Sequence, residues 1–294
     1  RLPLVTVGYE TKLFAPNAKK VLVDCDKAQL EHCWIKTDLN VFADLKDFMP
    51  ELAKKLTEEK FEYDSEFWIN KVQGYRKKYP TVTEEVRKQK KYVDSYFFFD
   101  VLSDYMTKDD VLVVDQGATF YSLTTAFKVK QGQLAFTNGG FSPMGYGLPA
   151  SVGCCFAKGV RKVVSVNGDG GLQMNIQELQ TIIHNNLDIK VFVFNNEGYL
   201  SIKHTQTNFF NGHLVGSNPE SGVSCPDSIK IGKAYGFKTF RITNHKETAK
   251  VIKKVMQTTG PVLVEVMIAP MQPYYPKVTS QRFPDGHFES QPLD

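Results

Sequence analysis

Residues 162–171 read Lys162-Val163-Val164-Ser165-Val166-Asn167-Gly168-Asp169-Gly170-Gly171, and a 24-residue interval separates Gly170 from the pair Asn195-Asn196. The first six residues are β-rich and run into a Gly-Asp-Gly-Gly turn. A second apolar run, Ile189-Lys190-Val191-Phe192-Val193-Phe194, ends at Asn195. Between the runs, Met174, Ile176, Leu179, Ile182 and Ile183 recur at helical spacing, which predicts a helix there. The unit is strand, turn, helix, strand, and its right-handed crossover returns the second strand parallel to the first. Both polar ends then fall at the carboxyl edge of one sheet, where open α/β sheets bind ligands. The fold class expected is α/β, a doubly wound, mainly parallel sheet flanked by helices.

The residue types at that edge carry a definite chemistry. Asp169 offers a hard anionic oxygen, Asn196 a neutral amide oxygen, and Gly198 a carbonyl that can face the same pocket. Such an oxygen-only set, with room left for phosphate oxygens, suits Mg²⁺ rather than zinc. Gly170 and Gly171 open the helix, so bare N–H groups can face a diphosphate. For Gly-Asp-Gly alone an ordinary β–α turn is the plain alternative, since Gly and Asp are common turn formers. The spaced Asn-Asn-Glu-Gly shifts the balance to a ligand site.

Gly168-Asp169-Gly170, the interval and Asn195-Asn196 resemble the cofactor motif of thiamine diphosphate-dependent enzymes. Gly139-Gly140-Phe141-Ser142-Pro143-Met144-Gly145-Tyr146-Gly147-Leu148-Pro149-Ala150 is similar to a segment of the acetolactate synthase-like members, as is Met174-Asn175-Ile176-Gln177-Glu178-Leu179. The resemblance implies thiamine diphosphate held through Mg²⁺ by Asp169, Asn196 and the Gly198 carbonyl. It implies cofactor contacts at Gly117, Ala118 and Thr119 and at Gly168, Gly170 and Gly171, and carries Tyr199 and Leu200 over with Gly198. A surface role is the plain alternative for Thr119. Met144 matches the apolar residue that wedges under the cofactor, and the Ser142 carbonyl would accept from its aminopyrimidine. A core gap-filler is the ordinary role for a lone Met.

The resemblance also implies what the chain lacks. Family members take an activating glutamate from a pyrimidine-binding domain, and nothing here resembles it. Residues 15–26 look like the later half of the family's middle domain, and the chain opens at Arg1-Leu2 without an initiator Met or signal peptide. The expectation is a fragment, inactive alone, from a homodimer or homotetramer. Its expected organisation is a partial Rossmann-like middle domain at 1–57, a charged helical linker at 58–92, the diphosphate- and Mg²⁺-binding domain at 93–273 and a tail at 274–294. The sequence leaves FAD open.

The function expected of the intact protein is decarboxylation of a small 2-oxo acid followed by carboligation. A simple decarboxylase or a carbon–carbon hydrolase on the same scaffold is the alternative, and a non-catalytic cofactor-domain partner is the rival of another class. Acetolactate synthases place Trp where this chain has Thr205, so the acceptor pocket differs. His204 is a candidate proton shuttle, since its charge changes near neutral pH, though a lone helical His more often caps or faces solvent. The loop Phe209 to Cys225 reads as a lid or an assembly contact.

Composition agrees. The chain has 294 residues and 42% hydrophobic residues, enough to bury a sizeable core, with no apolar run long enough for a membrane. A net charge of +4 with interspersed signs gives no case for nucleic acid. Five cysteines without a Cys-x-x-Cys pairing favour free thiols and a cytoplasmic location. Apolar positions Leu45, Phe48, Met49, Leu52 and Leu56 predict an amphipathic helix near Asp44–Leu56, and Trp68, Val72 and Tyr75 one face of another.

Overall fold

Short Val- and Ile-rich runs bury both faces when they pair in parallel under two layers of helices. The computed structural model describes residues 10–157, 162–275 and 280–290; the opening segment and the closing residues 291–294 lie outside these. The chain divides into two units, Pro80–Tyr275 and the pair of segments Arg1–Tyr79 with Pro276–Asp294.

In the unit containing the N-terminal segment, β1 (Val21–Asp24) pairs in parallel with β2 (Leu39–Phe42), Val21 lying opposite Leu39. Helix α1 (Lys27–Glu31) makes the crossover, capped by the Asp26 carboxylate accepting from Ala28 N–H. Then come α2 (Leu45–Glu58), which contains Pro50, and α3 (Glu66–Lys78). The helix expected near Asp44–Leu56 forms, but its stripe meets no core. Leu45 is 55% exposed, and Met49, Leu52 and Leu56 are exposed with it, as are Trp68, Val72 and Tyr75 on α3.

The larger unit runs through α4 (Glu84–Arg87), α5 (Ser95–Tyr105), β3 (Asp110–Val114), α6 (Ala118–Ala126), β4 (Ala135–Phe136) and α7 (Gly147–Phe156). It continues with β5 (Lys162–Gly168), α8 (Asp169–Met174), α9 (Glu178–His184), β6 (Ile189–Asn195) and α10 (Leu200–Phe209). Helix α11 (Ser228–Tyr235), β7 (Lys238–Ile242), α12 (His245–Gln257) and β8 (Val262–Met267) complete it. The last strands, β9 (Ser280–Arg282) and β10 (Phe288–Ser290), form an antiparallel hairpin in the other unit.

The six-stranded sheet has the order β4-β3-β5-β6-β8-β7, with every pairing parallel. This is the doubly wound sheet expected. Alternation sends Leu112, Val114, Val164, Val166, Phe192 and Phe194 into a core with Phe98, Phe99, Leu102, Ile252 and Val255. Val111, Val113, Val163, Val191 and Val193 pack on the opposite face with Leu148, Leu172, Leu179 and Ile182. Each such side chain contributes about 1.5–3 kcal/mol by leaving water.

Three expectations are corrected. The helix expected between β5 and β6 is two, broken at 175–177, because the Asn175 Nδ2 turns aside to donate to the Gly145 carbonyl at 2.8 Å. The stretch 80–92, assigned to the linker, belongs to the larger unit: Val82 is in its core, Thr81 Oγ1 donates to the Thr125 carbonyl, and Arg87 pairs with Asp100 at 3.0 Å. Tyr274 and Tyr275, assigned to the tail, belong there too, with the Tyr275 hydroxyl donating to Asp94 Oδ2 at 2.6 Å. Among the described residues no helix is long and apolar enough to cross a membrane, and all five cysteines are free thiols.

Candidate functional site

The chain winds one way from β3 to β4 and the other way from β4 to β5 and β6, so a crevice opens at the carboxyl ends of β3 and β5. Asp169 opens α8 directly after β5 and is 2% exposed. Its Oδ1 accepts from the Gly170 N–H at 2.8 Å and its Oδ2 from the Gly198 N–H at 3.0 Å. The Gly170 N–H, expected bare, is therefore taken by the neighbouring carboxylate. Burial pushes the Asp169 carboxyl up to about 6, against the opposing pull of Gly198, Gly170 and the Lys203 ammonium. A carboxylate buried against its own preference is suited to receiving a cation.

Asn196 follows β6, is buried, and its Oδ1 has no hydrogen-bond partner. Leaving a buried acceptor unmatched costs about 1–3 kcal/mol, which a cation would offset. Gly198 sits at φ +119, and a Cβ there would overlap the Ser217 carbonyl. At Gly170 a Cβ would overlap the Tyr199 ring, and at Gly171 the Asp115 carboxylate. Gly170 and Gly171 are thus required by close approach: Tyr199 lies over the first and Asp115 against the second.

The structure brings Asp169, Gly170, Asn196, Gly198 and Tyr199 together, and the buried Leu200 starts α10 beside them. Gly117 caps α6, and a Cβ on it would meet Ser201 Oγ at 3.3 Å, which places the first turn next to α10. Ala118 is buried in that first turn. Thr119 is buried, which rules out the surface alternative, and its hydroxyl donates inward to the Asp115 and Gln116 carbonyls at 2.8 and 3.1 Å. Ser142 lies on an exposed loop whose N–H donates to the Asn138 carbonyl, and Met144 nearby is 41% exposed.

His204 is engaged elsewhere. Its Nε2 lies 2.8 Å from the Gln272 carbonyl oxygen and its ring packs 5.0 Å from that of Tyr274. The loop after α10 is also pinned: Ser217 carbonyl accepts from the Tyr199 N–H, and the Gln206 side chain bonds Val215 and Ser217. A lid is not the role that this bonding favours.

Sequence reasoning missed Asp115, Asn167 and Lys203. Asp115 Oδ2 accepts from the Gly145 N–H at 3.0 Å, its Oδ1 has no partner, and burial raises its carboxyl. Asn167 Nδ2 donates to Ser165 Oγ at 3.0 Å, and its Oδ1 is likewise unpartnered. Orphan side-chain oxygens thus stand at or near the carboxyl ends of three adjacent strands, β3, β5 and β6. The available signal was an Asp or Asn closing an otherwise apolar strand, as in Val114-Asp115 and Val166-Asn167. Among the described residues no three His, Cys, Asp or Glu side chains gather as a metal cluster, so any cation here relies on neutral oxygens beside Asp169.

Comparison with known proteins adds the family. The family model for the thiamine pyrophosphate enzyme C-terminal TPP binding domain matches residues 115–266. The chain is 28% identical over 268 residues to the acetolactate synthase large subunit of Cyanidium caldarium, covering 90% of this chain and 44% of that protein. It is 28% identical to the acetolactate synthase isozyme 1 large subunit of Escherichia coli K12, covering 92% of this chain and 46% of that one. To chloroplastic acetolactate synthase 1 of Zea mays it is 29% identical over 96% of this chain and 44% of the other. The chain spans less than half the length of these curated relatives. The chain belongs to the thiamine pyrophosphate enzymes and carries their C-terminal TPP-binding domain.

Proposed function

We propose that the carboxyl edge holds thiamine diphosphate through Mg²⁺, with the Asp169 carboxylate, the Asn196 amide oxygen and the Gly198 carbonyl as the protein's metal ligands. The observation that carries this reading is the partnerless, buried Asn196 Oδ1 at the end of β6, next to a buried carboxylate at the end of β5. The donor set is all oxygen, which fits Mg²⁺. When bound, the cofactor supplies an electron sink for cleaving the bond beside a 2-oxo group.

This chain's own residues bind and orient. Asp169 and Asn196 fix the cation, while the turn Gly117-Ala118-Thr119 and Gly171 lend main-chain groups around the diphosphate. Gly168 ends β5 and is the N-cap of α8, directly before Asp169. Ser142 and Met144 stand on an exposed loop, Met144 supplying the apolar wedge and the Ser142 carbonyl accepting from the aminopyrimidine. A pyrimidine-binding domain, supplied by a longer chain within a homodimer or homotetramer, covers that loop.

The reaction proposed for the whole protein is decarboxylation of a small 2-oxo acid followed by addition to a carbonyl acceptor, as the names of the relatives suggest. Mass analysis of product from the full-length protein with pyruvate and Mg²⁺–thiamine diphosphate tests it. A product that includes an acceptor carbonyl supports carboligation, and an aldehyde or a hydrolysis product alone overturns it.

A further inference from the structure

Lys203 occupies a place where an ammonium is electrostatically disfavoured. It lies in the first turn of α10, at the positive end of the helix, and is 2% exposed. Its Nζ donates to the Asn196 main-chain carbonyl at 2.7 Å and reaches the Glu197 carbonyl at 3.5 Å. Asp169, Glu197 and Glu220 are the carboxylates whose charge it feels, with the neutral Cys225 thiol beside them. Between the two proposed metal ligands Asn196 and Gly198, Glu197 adopts φ +59, a left-handed conformation that a side chain disfavours. The Asn195 Oδ1 meets this turn from the other side, accepting from the Glu197 N–H at 3.2 Å.

We propose that Lys203 is a positioning residue for the cofactor, its ammonium clamping the Asn196 and Glu197 carbonyls so that the strained turn presents Asn196 Oδ1 and the Gly198 carbonyl to the cation. A peptide group is planar, so holding the Asn196 carbonyl fixes the Asn196–Glu197 peptide. The hold on the Glu197 carbonyl orients the next peptide, Glu197–Gly198, whose N–H donates to Asp169 Oδ2. The inference rests on the cofactor reading above.

Lys203→Met replaces the ammonium with an apolar chain of similar length. Calorimetry with thiamine diphosphate and Mg²⁺ is expected to show affinity falling by about tenfold to a hundredfold, the size of effect seen when groups orienting metal ligands are removed. The thermal midpoint without ligand is expected to change little, since losing the burial cost of the ammonium offsets leaving the Asn196 and Glu197 carbonyls unmatched. The Gly198 amide is expected to exchange with solvent faster. Lys203→Gln keeps a donor for the carbonyl and is expected to recover part of the affinity. Unchanged affinity together with unchanged Gly198 exchange overturns the proposal. It is also overturned if both variants lose affinity alike along with thermal midpoint, since Lys203 then serves only the fold. If the unmodified chain binds no thiamine diphosphate with Mg²⁺, the cofactor reading fails, and the Gly198 exchange rate in Lys203→Met still decides the positioning role.

Discussion

Asp169 joins two turns with one side chain: each carboxylate oxygen takes a main-chain N–H, one from Gly170 on its own helix and one from Gly198 beyond the next strand. The two glycines that follow it, Gly170 and Gly171, are demanded by neighbours rather than by flexibility. Gly170→Ala should therefore be costly, because its Cβ would overlap the Tyr199 ring in a packed region. Overpacking of this kind destabilises by about 1–3 kcal/mol. Chemical unfolding should show that loss, and cofactor affinity should fall with it as Tyr199 and the first turn of α10 are displaced. A fully stable Gly170→Ala chain would show that the contact is easily relieved. That Asp169, Asn196 and Gly198 come together could be read from spacing and residue type, since it depends on which strands they follow. Lys203 could not, because a Lys in the first turn of a polar helix looks solvated until Asn196 and Glu197 fold over it. The inward bonds of Thr119 were equally hidden: a hydroxyl next to a glycine turn has carbonyls of its own helix start within reach.

Strands were more legible than helices. The runs at 162–168 and 189–195 are buried on both faces, so their apolar character is continuous and unambiguous. The helix between them reads as continuous, because Met174, Ile176 and Leu179 keep helical spacing across the break, while the cause of the break is a bond from Asn175 to Gly145 in a distant loop. The segment after β8 shows the same limit. Gln272 locks onto Ser95 through its side-chain oxygen, 2.9 Å from the Ser95 N–H, and its carbonyl holds His204, so a tail-like sequence becomes a strap. The start of α12 is tied to α5 by His245, whose Nε2 accepts from the Asp94 N–H at 2.8 Å while its ring stacks on Phe97. Burial holds the His245 imidazole below the ordinary histidine value; the Asp94 charge and the Arg87 main chain oppose this, and the Arg87 charge adds to it. The folded chain then binds fewer protons than the unfolded chain as pH drops below the ordinary histidine range. Stability from this group is present above that range and lost as pH falls through it. Unfolding midpoints between about pH 5 and pH 7 should rise with pH, and His245→Gln should flatten that slope. An unchanged slope in the variant would assign the dependence to other groups.

At the scale of the molecule, the cofactor unit is the well-buried body, while the apolar stripes of α2 and α3 lie on the surface of the other unit. Amphipathic periodicity predicted those helices correctly but could not say what, if anything, covers them. The apolar runs of β5 and β6 and the crossover between them predicted the parallel sheet, and their polar ends predicted that Asp169 and Asn196 share its carboxyl edge. The carboxyl edge is proposed to be a Mg²⁺-dependent thiamine diphosphate site built on Asp169 and Asn196. The most direct test is calorimetric titration of thiamine diphosphate into this chain and into Asp169→Ala, each with Mg²⁺ and with a chelator, after circular dichroism has shown both to be folded. The expected result is binding by the unmodified chain with Mg²⁺ only, and none by Asp169→Ala. Equal binding by the two chains, or binding by the unmodified chain that persists in chelator, would contradict it.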